Sequence, residues 1–518
     1  MVKHVGLVDK LVVTADATGQ VGHAGSALMA GAADRVGLTE ALSAAMAPTR
    51  ERRSAHDPGV VLRDLIVTLA DGGDCLADLG ALRDQPDLFG GVASDSTAFR
   101  VIDSIDEQCL ARLREAVASV RGRAWGLGGR PGRVVLDADA TLTTAHSDKE
   151  QAKGNFKGGY GHHPLLCYLD ATGEALAGVL RPGNAGSNTA ADHIEVIDLA
   201  LGQLDRDALD GEILLRADGA GATHDLVEYC RDAGIRFSVG FDLDERVRKA
   251  IVDTPDCAWE QAIRADGTER ERSQVCEIGG RLDLSSWPDG SRLIARRTLL
   301  KEGDQQSFAD HDGHRLAVFL TDQPGEHVPT LDLDHRKHAR VEDRIREGRD
   351  CGLRNLPFRS FAHNKVWLWL AMAAQDLIAW ARQLCLEDEA AAWELKRLRY
   401  RYADVGMTTG SFTKPAGSPA TPARPPSVSP RAGPGPASLP PRSPTSKLSP
   451  PPPAKPRPPP AAGRHPIGSP RHTPSASLPT NHPHAPHERG AAAATAPATP
   501  NGAPHGPRTR SEASATQA

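Results

Sequence analysis

RVVLDADATL, residues 133–142, decides the fold. Val134, Val135 and Leu136 make a short apolar, β-branched run, and Asp137 and Asp139 follow at its C-terminal end. Such a run reads as a strand of a sheet. Strand residues alternate faces, so Asp137 and Asp139 point the same way and only position along the strand separates them. Downstream, PLLCYLD (164–170), the turn ATGE and ALAGVLR (175–181) read as an antiparallel hairpin. SNTAADHIEVIDLALGQLD then puts Ile194, Ile197, Leu201 and Leu204 on one helical face, with Ser187 to Thr189 as caps. EILLRAD (212–218) is a second buried strand, and THDLVEYCRDAG is a short helix closed by Gly234. In IRFSVGFD, Ile235, Phe237, Val239 and Phe241 alternate with small or polar residues, which makes a third. Strand, hairpin, helix, strand, helix, strand is the order of a mixed α/β sheet flanked by helices.

Outside this block the patterning changes. Residues 1–125 read as mostly helical, from GLTEALSAAM (37–46) and a longer helix over 58–84 to a further helix capped by Ser96. GLGGRPGR after Trp125 punctuates the boundary. Over 243–330, RLDLSSW (281–287), SRLIARRTLL (291–300) and HRLAVFLTD (314–322) predict antiparallel strands, a β-rich insertion. A highly charged helix is expected over 338–353. A strongly apolar one, over 360–386, is long enough to lie across the sheet.

Composition divides the chain near residue 405. Residues 411–518 hold 29 of the 40 prolines, no Trp or Tyr, 12 Lys+Arg and 2 acidic residues. The first 410 residues carry all 7 Trp and a net charge of −15. The first part has the apolar content for a large core, whereas the tail lacks it and is expected to be disordered. No apolar run approaches the roughly 20 residues that span a bilayer, and the start is broken too early for a signal peptide. Eight single cysteines without a CxxC pair argue against a zinc cage and suit a reducing cytoplasm.

Asp137 and Asp139 end the first sheet strand, and Asp218 ends the strand after the crossover helix. Strand ends of open α/β sheets collect ligand sites, although Asp after an apolar strand is also an ordinary turn former. Two such carboxylates and a Glu from a packed helix would make an oxygen-ligand site for Mg²⁺, of the kind used in phosphoryl transfer. Glu342 has the right company: Arg346 and Arg349 lie at i+4 and i+7, where they could hold backbone phosphates. The bland reading is a solvated Glu in a charged helix.

LDADATLTTAHSDKEQA, GGYGHHPLLCYLD, RPGNAGSNTAADHI, LLRADGAGATHDLVEYCRDAGIRFSVGFD and ARVEDRIREGRDCGLRNLPF together resemble a DDE insertion-sequence transposase. The match is to the bacterial group called insertion-sequence family thirteen-eighty, over about residues 5–403. The resemblance implies an RNase H-like core whose Asp–Asp–Glu triad binds two Mg²⁺ ions, with Mn²⁺ a possible substitute. It also implies cleavage and joining of transposon ends, with double-stranded DNA (terminal inverted repeats and target) as partner and a homodimer in the DNA complex. Matched residue by residue, the triad is Asp139 (in Asp-Ala-Thr), Asp218 (in Arg-Ala-Asp-Gly) and Glu342 (in Val-Glu-Asp-Arg-Ile), with Asp137 the alternative to Asp139. The spacings are 79 and 124 residues. The family pattern of Arg four before the Glu and Lys seven after it is replaced here by His338 and Arg349.

The implied organisation is a helical DNA-binding region (1–125), the first part of the catalytic core (126–242) and the insertion (243–330). The Glu helix with C-terminal helices (331–404) and the tail (405–518) follow. Expected DNA contacts are Arg340, Arg346 and Arg349 in one basic stretch and Arg292, Arg296 and Arg297 in another, with Trp287 stacking on an unpaired base or packing in the core. His162 and His163 are candidate ligands or simply turn residues. Neither GLGGRPG nor GNAGS is a P-loop. The tail's Pro, Ala, Arg, His, Ser and Gly are what a GC-rich gene gives out of frame, so a frameshift near codon 405 is expected. Two further readings stay open: a catalytically impaired DNA-binding remnant, and an RNase H-like nuclease without strand transfer.

Overall fold

The computed structural model describes residues 20, 21, 23, 25–50, 54–146, 148–186, 189–206, 211–305, 307, 310–325, 327–386, 388–403 and 407–408. Ser187, the first 19 residues and, apart from Met407 and Thr408, the whole tail expectation lie outside them.

The decisive stretch forms strand β1, Val135–Ala140. The expected hairpin is β2 (Leu165–Leu169) and β3 (Ala175–Val179), and the later strands are β4 (Leu214–Ala217) and β5 (Arg236–Gly240). β1 pairs antiparallel with β2 and parallel with β4, and β4 pairs parallel with β5. The order β3-β2-β1-β4-β5 is that of an RNase H-like sheet.

The segment 243–330 does not stand apart from this sheet. It supplies β6 (Glu260–Ile263), β7 (Glu269–Glu277), β8 (Arg292–Leu299), β9 (Asp310–His311) and β10 (His314–Thr321). β10 joins the edge of β5, Leu320 opposite Val239, and the sheet grows to ten strands in the order β6-β7-β8-β10-β5-β4-β1-β2-β3, with β9 on β10. RLDLSSW forms a 3-10 turn and loops rather than a strand, whereas β6 and β7 had no clear apolar signal. β7 reads ERERSQVCE, so its charged outer half hid it.

Helices cover both faces. Against one face lie α3 (Ala190–Leu201) and α4 (His224–Asp232), meeting Leu136, Ala138, Leu215, Ala217, Phe237 and Val239. The other face is shared. At its β2–β3 end Leu166 and Tyr168 join the core of α1 (Pro58–Asp71), α2 (Glu107–Gly128) and α7 (Phe361–Cys385). The N-terminal helices are therefore packed with the apolar C-terminal helix, which lies across the sheet as its length predicts. Trp367 and Trp380 are fully buried there, worth roughly 3 kcal/mol or more each against truncation to Ala.

Two expected long helices are each broken. Gly72, at φ 111°, ends α1 after Asp71, because only glycine adopts that backbone without strain. The next pair divides at Ser104, with Ser94 capping Asp95–Asp103 and Asp106 capping α2, instead of one helix from Ser96. Before the charged helix α6 (Arg340–Gly348), the chain adds an unforeseen helix α5, Val328–Arg336.

Candidate active site

Parallel pairing of β1 with β4 puts Ala138 opposite Ala217, so Asp139 and Asp218, each the next residue, lie at neighbouring strand ends. α6 buries Val341, Ile345 and Gly348 and leaves Glu342 exposed. Asp139 feels the other two acids. Burial first, then Asp218 and, more weakly, Glu342 push the Asp139 carboxyl up to about 6, opposed by His338 and the Ala140 N–H. That N–H donates to Asp139 Oδ1 at 2.7 Å, and Asp218 accepts from the Ala220 N–H at 3.0 Å. Carboxylates gathered at strand ends with little cationic compensation form a donor set for a hard divalent cation.

Their oxygens do not all come within 4.8 Å of one another. Among the described residues, only Asp74, Cys75 and Asp78 do so. That group lies in the helical N-terminal region and is explained without an ion. Asp78 accepts from the N–H groups of Asp74 (2.7 Å) and Cys75 (3.0 Å), and Asp74 pairs with Arg354 at 2.9 Å.

Asp137 has a different environment. Arg216 donates to both its oxygens at 2.7 Å, and a His338 ring nitrogen lies 3.0 Å from Oδ1. Arg216 also donates to the Asp334 carbonyl at 2.8 Å and lies 3.2 Å from Asp170 Oδ2. The side chains of Asp137, Arg216, Asp170 and His338 are all buried or nearly so. Arg216 was missed in the sequence, yet an arginine inside the apolar run EILLRAD was itself a sign of a buried ion pair.

The basic residues divide by partner. Arg349, exposed, donates to Thr141 Oγ1 at 2.6 Å, two residues beyond Asp139. Arg340 lies 3.3 Å from Asp170, and Arg346 pairs with Asp343 at 2.9 Å. Arg292 is held by Glu277, Arg296 by Asp332, and Arg297 by Gln274 and Asp256 over the Trp259 ring. Trp287 stacks on His224 at 3.9 Å and meets Phe241 edge-on, partly buried against the core. His162 and His163 face the carbonyls of Glu150 (3.0 Å) and Ala185 (3.3 Å), and burial lowers both pKa values. Both hold the backbone in place.

The profile of one protein family, described as "Transposase DDE domain group 1", matches residues 5–410. The chain belongs to this family of DDE transposases. Among solved structures, a piggyBac transposase synaptic complex with hairpin DNA is similar at 11% identity, covering 73% of this chain and 80% of that one, with a TM-score of 0.37. Among curated proteins none matches. The finer resemblance to family thirteen-eighty rests on the motifs alone. Among the described residues no helix of this transposase is long and apolar enough to cross a membrane.

Proposed function

We propose that this transposase cleaves and joins DNA at transposon ends by Mg²⁺-dependent phosphoryl transfer, with Asp139, Asp218 and Glu342 as its metal-binding carboxylates. The observation that carries the reading is the parallel pairing of β1 with β4, which sets Asp139 and Asp218 at neighbouring strand ends; Asp218 and Glu342 lie near enough to help burial raise the Asp139 carboxyl. Asp137 is the weaker candidate because Arg216 already occupies both of its oxygens.

Asp139, Asp218 and Glu342 offer oxygen donors of the kind that a pair of Mg²⁺ ions takes, and would hold it. When bound, such a pair neutralises charge on the attacking and leaving oxygens of an in-line displacement. The chain's own residues do the rest. Asp139 sits on a rigid strand whose neighbour is locked by the Asp137–Arg216 pair. Arg349, fixed by Thr141, offers a guanidinium to a phosphate of the bound strand. Terminal-repeat and target DNA are the proposed substrates, and two ends held together would call for a homodimer.

The test is cleavage and strand transfer on terminal-repeat DNA with Mg²⁺. Asp218→Asn and Glu342→Gln should each abolish both steps while DNA binding persists. Cleavage that survives either change removes those residues from the reading. Cleavage without joining would mean a nuclease, and binding without cleavage by the unaltered chain would mean a remnant.

A further inference from the structure

Three short strands, Thr143–Thr144, Lys153–Gly154 and Tyr160–His162, form a small sheet immediately after β1. It is fastened at the end of β1, which carries Asp139, and to the chain that follows α6, the helix that carries Glu342. On the β1 side, the Thr141 N–H donates to the Pro164 carbonyl at 3.0 Å, and Arg349 reaches the same threonine. On the side of the chain following α6, Thr143 Oγ1 donates to the Leu353 carbonyl at 3.2 Å, Lys149 to the Leu356 carbonyl, and the Glu150 N–H to the Arg359 carbonyl at 2.9 Å.

The tip of this hairpin is built outward. Phe156 is 74% exposed, the most exposed large hydrophobic side chain among the described residues, and Tyr160 is 42% exposed. The Lys157 ammonium lies 5.5 Å from the Phe156 ring centroid, and Lys153, Lys157 and Arg359 are all exposed. Asn155 holds the turn by accepting from the N–H groups of Lys157 and Gly159, both at 3.0 Å. Phe156 meets the His163 ring at a centroid distance of 6.0 Å, yet most of its surface stays in water, where it loses hydrophobic stabilisation that burial would give it. Cations beside an apolar ring match the two surfaces of a nucleic-acid strand, phosphate and base face.

We infer that this hairpin is a stacking wedge, in which Phe156 packs on an unpaired base of the DNA strand entering the site and Lys153 and Lys157 hold the adjoining phosphates. The inference rests on the proposed DNA cleavage at Asp139, Asp218 and Glu342. Phe156 has no hydrogen-bonding group, so the contact reads the presence of an unstacked base and not its identity. That makes it testable without the terminal-repeat sequence.

The full chain is titrated, without divalent metal, against a duplex with a forked unpaired arm carrying 2-aminopurine and against the same duplex fully paired. The forked DNA should bind about tenfold more tightly, with the 2-aminopurine fluorescence changed by stacking. Phe156→Ala should remove both the preference and the fluorescence change, and Phe156→Trp should keep them. Lys153→Ala and Lys157→Ala should weaken both DNAs alike and each reduce the salt slope by about one. A Phe156→Ala protein that keeps the preference overturns the wedge. Equal binding of both DNAs by the unaltered chain, with cleavage still lost in Asp218→Asn, overturns the wedge alone. Failure to bind either DNA overturns it together with the proposed function.

Discussion

Arg216 holds both carboxylate oxygens of Asp137 at 2.7 Å, so the two aspartates of β1 live in different chemical settings although they face the same way. Asp137 is a locked internal anion, whereas Asp139 at the strand end has only the Ala140 N–H as a hydrogen-bond donor among the described residues.

Removing the partner of a buried guanidinium is expensive. Asp137→Ala should cost about 3 kcal/mol of unfolding free energy, because Arg216 would stay buried with only Asp170 and a carbonyl beside it. Urea denaturation measures it. A loss under 1 kcal/mol would show that the pair is not what fixes β1 to β4.

Asp139 should behave in the opposite sense. Burial and the neighbouring Asp218 push its folded-state carboxyl up to about 6 from the ordinary 3.8, so the folded protein binds that proton more tightly than the unfolded chain. The contribution is neutral at low pH, and stability falls as pH rises from about 4 to 6. Asp139→Asn, in EDTA, should flatten that slope and raise stability at pH 8 by on the order of 2 kcal/mol. A variant less stable than the parent at pH 8 would contradict this.

The Arg349–Thr141 bond joins α6's continuation to the end of β1. Arg349→Ala should cost about 1 kcal/mol or less in stability, because the side chain is exposed. Cleavage at saturating DNA should nevertheless fall by about tenfold or more. Arg349→Lys keeps the charge without the planar fork and should fall between. Equal rates for all three proteins would exclude a phosphate contact.

A second buried ion cluster joins the N-terminal helices to the core. Arg121 on α2 reaches Glu174, in the β2–β3 turn, at 3.1 Å and Asp376 on α7 at 2.5 Å. Trp125 and Trp380 donate to the same Glu174 at 2.9 and 2.7 Å. Burial first pushes Asp376 up to about 7 despite Arg121. Arg121→Met should cost about 3–5 kcal/mol at pH 8. The loss should shrink at pH 5, where the stranded Asp376 carboxyl is protonated. Denaturation at the two pH values checks the sign, and a loss that grows on acidification would refute it.

Much of the core was legible because its signals are local. β-branched runs, the ATGE turn and Gly234 gave β1 to β5 and their helices. The exposed, charged outer half of β7 and the four-residue β6 carried too little apolar alternation to be seen. The arginines at 292, 296 and 297 have partners that no local pattern announced: Glu277, Asp332, and Gln274 with Asp256. Lys153, Phe156 and Lys157 went unremarked because a basic-aromatic turn is ordinary until its exposure and its anchoring to β1 are known.

The sequence by itself determined where β1 to β5 run and that acids stand at the ends of two of them, since periodicity and strand length are set by neighbours in the chain. Only the tertiary structure decided which aspartate Arg216 neutralises, that the insertion extends the same sheet, and that the N-terminal helices share a core with α7. Those outcomes depend on pairings between residues 79 to more than 250 positions apart. Burial and charge balance, evaluated in three dimensions, fix such pairings, and no local pattern encodes them.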